Sequence, residues 1–203
     1  GRIAEGAGED TYLAAMVGRA RIRGIDAGGG LACAKHFVAY GACEGGRDYN
    51  TADISQMTLR EVYLPPFRSA VDAGVGSVMV AFNEIDGVPC TADSRLLNGV
   101  LRTEWGFGGI IATDYNAVRE LIAHGVARDE RDACRLAIEA GVDLDMQSGV
   151  FFEHLADLVR EGAVAESRVD ESVRRLLAAK RALGLFDDGR PPHSPVDLRS
   201  LRE

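Results

Sequence analysis

Four short apolar runs, at residues 31–37, 77–82, 109–113 and 142–145, constrain this chain more than any other feature, because helical stretches separate every one from the next. The runs are rich in Val, Ile and Ala and too short for helices, the pattern of parallel strands buried on both faces. Asp10 heads a helix over 11–25, and Gly28-Gly29-Gly30 breaks it before the first strand. A longer helical stretch over 55–73 is interrupted by Pro65-Pro66 and closed by Gly74, since proline cannot donate within a helix. Asp93 caps 94–103, a helix begins at Asn116, another spans 129–140, and 151–161 and 166–183 follow the last strand. The expected class is α/β.

A (β/α) TIM-type barrel needs eight strands and about 250 residues. Four strands within 203 residues predict a partial barrel, about the second half of the eight units, with helices outside parallel strands. Residues 1–187 form that unit. Residues 188–203, with Pro191-Pro192 and Pro195 among charges, read as a linker towards a further domain. The chain opens on Gly1 without an initiating Met, and further residues are expected upstream.

The formal net charge of −8 is spread along the chain, which disfavours nucleic acid as a partner. The apolar runs stay well short of the roughly 20 residues that cross a bilayer, so no membrane span is expected, and the compartment stays open between cytoplasm, periplasm and exterior. Cys33, Cys43, Cys90 and Cys134 lack CxxC spacing and read as small hydrophobes. His124 and His154 have no companion ligand at metal spacing and read as surface residues. Gly28-Gly29-Gly30 precedes a strand instead of following one, and Gly45-Gly46 leads into Arg47-Asp48, so no phosphate-binding loop is present. Neither a metal nor an organic cofactor is expected.

Asp114 ends the run 109–113 and Tyr115-Asn116 follow at once, which delivers a carboxylate where a buried strand becomes a loop. Barrel enzymes keep their chemistry at such ends. The first strand finishes on Lys35-His36, so an ammonium and an imidazole can converge on the same face. Taken alone, these residues keep other readings open. Asp114 can cap the helix that begins at Asn116. Lys35 can be a Schiff-base nucleophile, and Glu84, after Asn83 at a strand end, can be a general acid. Arg47 lies in a Gly-rich loop, where an arginine is solvated or offers its planar fork to a ligand. Asp143 and Asp145 alternate on the last strand and read as structural, one pairing with a base and one closing the strand.

A series of motifs then narrows the choice: Gly1-Arg2-Ile3 with Gly8-Glu9-Asp10, Ala34-Lys35-His36-Phe37, Gly46-Arg47-Asp48, and Leu59-Arg60-Glu61-Val62-Tyr63-Leu64-Pro65-Pro66-Phe67. Val78-Met79-Val80-Ala81-Phe82-Asn83, Trp105-Gly106-Phe107, Thr113-Asp114-Tyr115 and Gly141-Val142-Asp143 continue it. From Gly1 to about Asp187 the chain resembles glycoside hydrolase family 3, the retaining β-glucosidases and their relatives. The resemblance implies Asp114 as nucleophile, with Arg2, Lys35, His36 and Arg47 holding the hydroxyls of the sugar. Phe82 stands where the family usually has Tyr, and Tyr115 where it often has Trp; both are carried as substrate contacts. In many members the acid/base Glu comes from a second α/β domain beyond the linker, and a sugar-binding Asp comes from the first half of the barrel. An N-acetylglucosamine-specific branch carries a Lys-His-Phe-Pro-Gly-His pattern that Val38-Ala39-Tyr40-Gly41 does not match.

Retaining hydrolysis pairs two carboxyl groups about 5 to 5.5 Å apart, one attacking the anomeric carbon and one protonating the leaving oxygen. The resemblance thus implies release of terminal β-D-glucosyl residues, with β-xylosides the next class. The partners are a β-glucoside or oligosaccharide substrate, and the missing half barrel and C-terminal α/β domain of the same parent chain. The alternatives are a Schiff-base lyase using Lys35 and a non-catalytic sugar-binding remnant.

Overall fold

Alternating burial shapes the sheet. The computed structural model describes residues 3–187, and Arg2 and the expected linker 188–203 lie outside the described residues. Helix α1 (Thr11–Ala27) starts where Asp10 Oδ1 accepts from Leu13 N at 2.6 Å, and leads to β1 (Cys33–Phe37). Helix α2 (residues 56–72) is capped by Ser55 and leads to β2 (Ser77–Val80). A short antiparallel hairpin follows, β3 (Glu84–Ile85) and β4 (Val88–Pro89). Helix α3 (Arg95–Glu104) precedes β5 (Ile110–Ala112). Helices α4 (Ala117–Ala123), α5 (Glu130–Ala140), α6 (Val150–Arg160) and α7 (Glu166–Ala182) complete the described chain.

Strands β1, β2 and β5 lie side by side in chain order and run parallel. Ala34 pairs with Val78, Ser77 with Ile110 and Val78 with Ile111, and partners in register share a face. One face carries Val78, Val80 and Ile111, all fully buried. The other carries Cys33, Lys35, Ser77, Met79 and Ile110, all at least partly exposed. In a closed (β/α) barrel the inward face is filled by side chains from the opposite strands. Here it is open, and the sheet forms one part of a barrel wall with helices on its covered side. This agrees with the partial barrel read from the sequence.

Two expectations need correction, and one element was not foreseen. Residues 142–145 do lie beside β5, but Ala112 and Leu144 make a single parallel bridge instead of a ladder. The reason is local: Asp143 N and Leu144 N both donate to Ile111 O, at 2.8 and 3.2 Å, so two successive donors use one acceptor. The helix over 56–72 is not broken by its prolines. It widens to a π turn at Leu59–Tyr63, and Pro65 and Pro66 fall in the first turn of the segment that follows, where a missing N–H costs little. The hairpin was not expected at all, although Asp86 and Gly87 adopt the positive φ values (55° and 75°) that an Asp-Gly turn favours.

A buried ion-pair network locks β5 and the residues just before it. The Asp143 side chain, fully shielded, accepts on Oδ2 from Ile111 N at 2.8 Å and from Arg102 Nη2 at 2.5 Å. Its Oδ1 accepts from Ser172 Oγ at 2.9 Å and Arg175 Nη1 at 2.8 Å. Arg102 also donates to Phe107 O and Gly109 O. One carboxylate therefore ties α3, β5 and α7 together, and Asp145 closes the strand by accepting from Ser148 Oγ and Phe151 N. Both aspartates are structural, as the sequence suggested.

Candidate active site

Asp114 leaves the C-terminal end of β5 in a turn fixed from three sides. Thr113 Oγ1 accepts from Met146 N, Asn116 N donates to Met146 O, both at 2.9 Å, and Asn116 takes a left-handed conformation with φ 61°. Asparagine tolerates that conformation better than most residues. The turn presents a side chain only 12% exposed. Tyr115 N donates to Asp114 Oδ1 at 2.7 Å, so one oxygen is held by the backbone. Oδ2 lies 3.3 Å from His36 Nε2, at ion-pair distance but without the alignment of a hydrogen bond, and accepts none among the described residues.

His36 arrives from β1, whose register slips between Ala34 and Phe37. Two cis peptide bonds, Lys35-His36 and Phe37-Val38, flank it. The slip lets neighbouring residues escape strict alternation. Lys35 is exposed on the open face, while His36 and Phe37 are buried. The His36 ring lies 5.1 Å from Tyr40, Tyr40 lies 6.2 Å from Phe82, and Phe82 packs 4.3 Å from Tyr49. Phe82 is buried and backs the half-exposed Tyr49.

The sequence-derived residues thus divide. Asp114 and His36 are brought into contact. Phe82 joins His36 through Tyr40. Tyr115 touches Asp114 by its backbone while its ring is exposed, and Lys35 and Arg47 are exposed, with no carboxylate on either side chain among the described residues. Glu120, on the first turns of α4, was missed. Burial, and then the charge of Asp114, pushes its carboxyl above the usual glutamate range, opposed by a hydrogen bond from the Asn116 side chain. The signal lay in the i, i+4 spacing of Asn116 and Glu120 on a helix that starts at the strand end. Tyr40 and Tyr49 were also missed, since an aromatic in a Gly-rich loop has no periodicity to mark it.

The two histidines outside this site are not plain surface residues. His124 is half-buried, with Nδ1 4.0 Å from Glu84 Oε2. His154 does have companions: Glu130 and Glu153 bring ligand atoms within 4.8 Å of one another and of its ring. Arg119 Nε already donates to Glu130 Oε1 at 2.7 Å, so that cluster is ion-paired. Cys43, Cys90 and Cys134 are buried and Cys33 exposed, all as free thiols. Burial pushes the Cys90 thiol up to about 12. Two surface depressions, of about 280 and 430 Å³, lie against Trp105 and Phe151, and Asp114 lines neither.

The glycosyl hydrolase family 3 N terminal domain matches residues 1–179. The chain belongs to this family. It is 43% identical to a periplasmic beta-glucosidase of Salmonella typhimurium over 98% of this chain and 28% of that protein. A beta-xylosidase of Formosa agariphila is 40% identical over 92% of this chain and 28% of its own length. Among solved structures, the beta-glucosidase of Listeria innocua in complex with glucose superposes with a TM-score of 0.90 at 41% identity, covering 93% of this chain and 27% of that one. The chain therefore spans just over a quarter of these glycosyl hydrolase family 3 relatives. No described helix is long and apolar enough to cross a membrane.

Proposed function

We propose that this chain supplies the nucleophile-bearing wall of a retaining β-glycosidase, acting on terminal β-glucosyl residues, with β-xylosides as the second substrate class. The observation that carries the reading is the buried Asp114 carboxylate at a strand's C-terminal end, one oxygen held by a backbone N–H and the other 3.3 Å from a buried imidazole. Beta-glucosidases and a beta-xylosidase among its relatives support the substrate class.

Asp114 Oδ2, which accepts no hydrogen bond among the described residues, attacks the anomeric carbon while the leaving oxygen takes a proton from an acid. Water then cleaves the glycosyl ester, and two inversions give net retention. Neither step calls for a metal or an organic cofactor. His36, Lys35 and Arg47 hold sugar hydroxyls; Arg2 has the same role, and Phe82 and Tyr115 line the pocket. Residues 1–187 are the second half of the barrel and 188–203 a linker, and the remaining half barrel and the acid/base belong to a longer polypeptide. The Schiff-base alternative is disfavoured because the relatives are beta-glucosidases and beta-xylosidases. In the complete enzyme, Asp114→Asn is expected to lower kcat for an aryl β-glucoside by at least about a thousandfold, as loss of a covalent nucleophile does, with the thermal transition retained. Turnover within about tenfold of the parent would reject the assignment.

A further inference from the structure

Residues 40–51, the loop that carries Arg47 and Tyr49, form a closed unit. Glu44 N donates to Thr51 O at 2.9 Å, Asn50 Nδ2 to Glu44 O at 3.0 Å and Thr51 N to Asn50 Oδ1 at 3.0 Å. The unit meets the hairpin at Glu84, and its Tyr40 ring lies against His36 and Phe82. Thr51 Oγ1 donates to Glu84 Oε1 at 2.6 Å, and Ala52 N donates to Glu84 O at 2.9 Å. An isolated bridge between Ala52 and Ile85 and the Tyr49 ring on Phe82 extend the same contact. Glu84 is itself fixed, paired with Pro89 across the hairpin. Its second carboxylate oxygen lies 4.0 Å from Nδ1 of His124, the residue that caps the C-terminal end of α4, the helix that begins just after Asp114. Both side chains are largely shielded, at 22% and 16% exposure, where an ion-pair contact is screened less than on an open surface.

We propose that Glu84 is a positioning residue that docks the 40–51 loop onto the hairpin and α4, so that Arg47 and Tyr49 meet the sugar at a fixed distance from Asp114. This rests on the glycosidase reading for its consequence, although the docking does not. The chemistry follows from the two oxygens. A carboxylate can accept from the loop hydroxyl on one side and face the imidazole on the other, and a residue without an acceptor leaves Thr51 with water as its partner. Glu84 touches the sugar in neither step. A loosened loop costs binding in the ground and transition states alike, which raises KM and leaves kcat in place.

The test uses the complete enzyme. Glu84→Ala and Thr51→Val are each expected to raise KM for an aryl β-glucoside about tenfold with kcat within about threefold, the scale of one hydrogen bond to a charged acceptor. The double variant should be no worse than the weaker single one, since both remove the same contact. Glu84→Gln keeps an acceptor for Thr51 and should recover most of the affinity. Amide hydrogen exchange should quicken across 44–51 in Glu84→Ala and stay unchanged across 110–113. Unchanged loop exchange would overturn the docking, whatever the activity. A loss of kcat of about a hundredfold or more in Glu84→Gln, relieved by a better leaving group, would make Glu84 a general acid instead. If the parent turns over no β-glycoside, the glycosidase reading fails by itself and the exchange result still decides the docking.

Discussion

Asp143 and Asp114 are both buried carboxylates at the ends of the same sheet, and their surroundings give them opposite work. Asp143 is saturated by a backbone N–H, a hydroxyl and two guanidinium groups, with no lone pair left for a substrate. Asp114 keeps one oxygen without a hydrogen bond among the described residues. Asp143→Ala strands two arginine charges and is expected to cost about 3 to 5 kcal/mol in denaturant unfolding. A loss below about 1 kcal/mol would mean that the network is loose. Glu120 offers a test with a pH sign. Its raised carboxyl pKa means that the folded state binds the proton more tightly than the unfolded chain, so ionisation lowers stability as pH rises through the window above the ordinary glutamate value. Glu120→Gln should match the parent below that window and exceed it above, and a difference independent of pH would contradict the account. Asp114, Lys35 and His36 were legible as a strand-end set. The contact between Asp114 and His36 was not, because it depends on a register slip in β1 that no residue type announces.

Single glycines set how closely elements approach. Ile110 N donates to Gly76 O at 3.0 Å, and a Cβ on Gly109 would sit 2.4 Å from that same carbonyl and 2.6 Å from the Phe107 ring. Gly109→Ala therefore pushes β5 from β2 at the strand that carries Asp114, and is expected to cost about 1 to 3 kcal/mol with a matching fall in melting temperature. An unaltered melt would show that the strands can part without penalty. Helix starts were readable because their caps are local chemistry: Asp10, Ser55 and Asp129 each accept a backbone N–H where the sequence put a cap or boundary. Residues 142–145 read as a full strand from composition, and the shared acceptor at Ile111 left only one bridge. The hairpin at 84–89 escaped because its strands are two residues each, too short for alternation to register.

At the scale of the whole chain, helices cover one face of the sheet, and Lys35 lies exposed on the other. The fold class followed from the succession of apolar runs and helices, and family membership from motifs spread over most of the chain, matched by the family domain across residues 1–179. Substrate geometry was not legible in the same way, because the chain spans just over a quarter of its relatives and a barrel mouth draws side chains from several strands. Asp114 stands at the centre of the account, and trapping its covalent intermediate tests it most directly. The complete enzyme, incubated with a dinitrophenyl 2-deoxy-2-fluoro-β-glucoside, should gain the mass of one fluoroglucosyl group, with peptide mapping fixing it on Asp114. An adduct on any other carboxylate, or none in an enzyme that turns over β-glucosides, would contradict it.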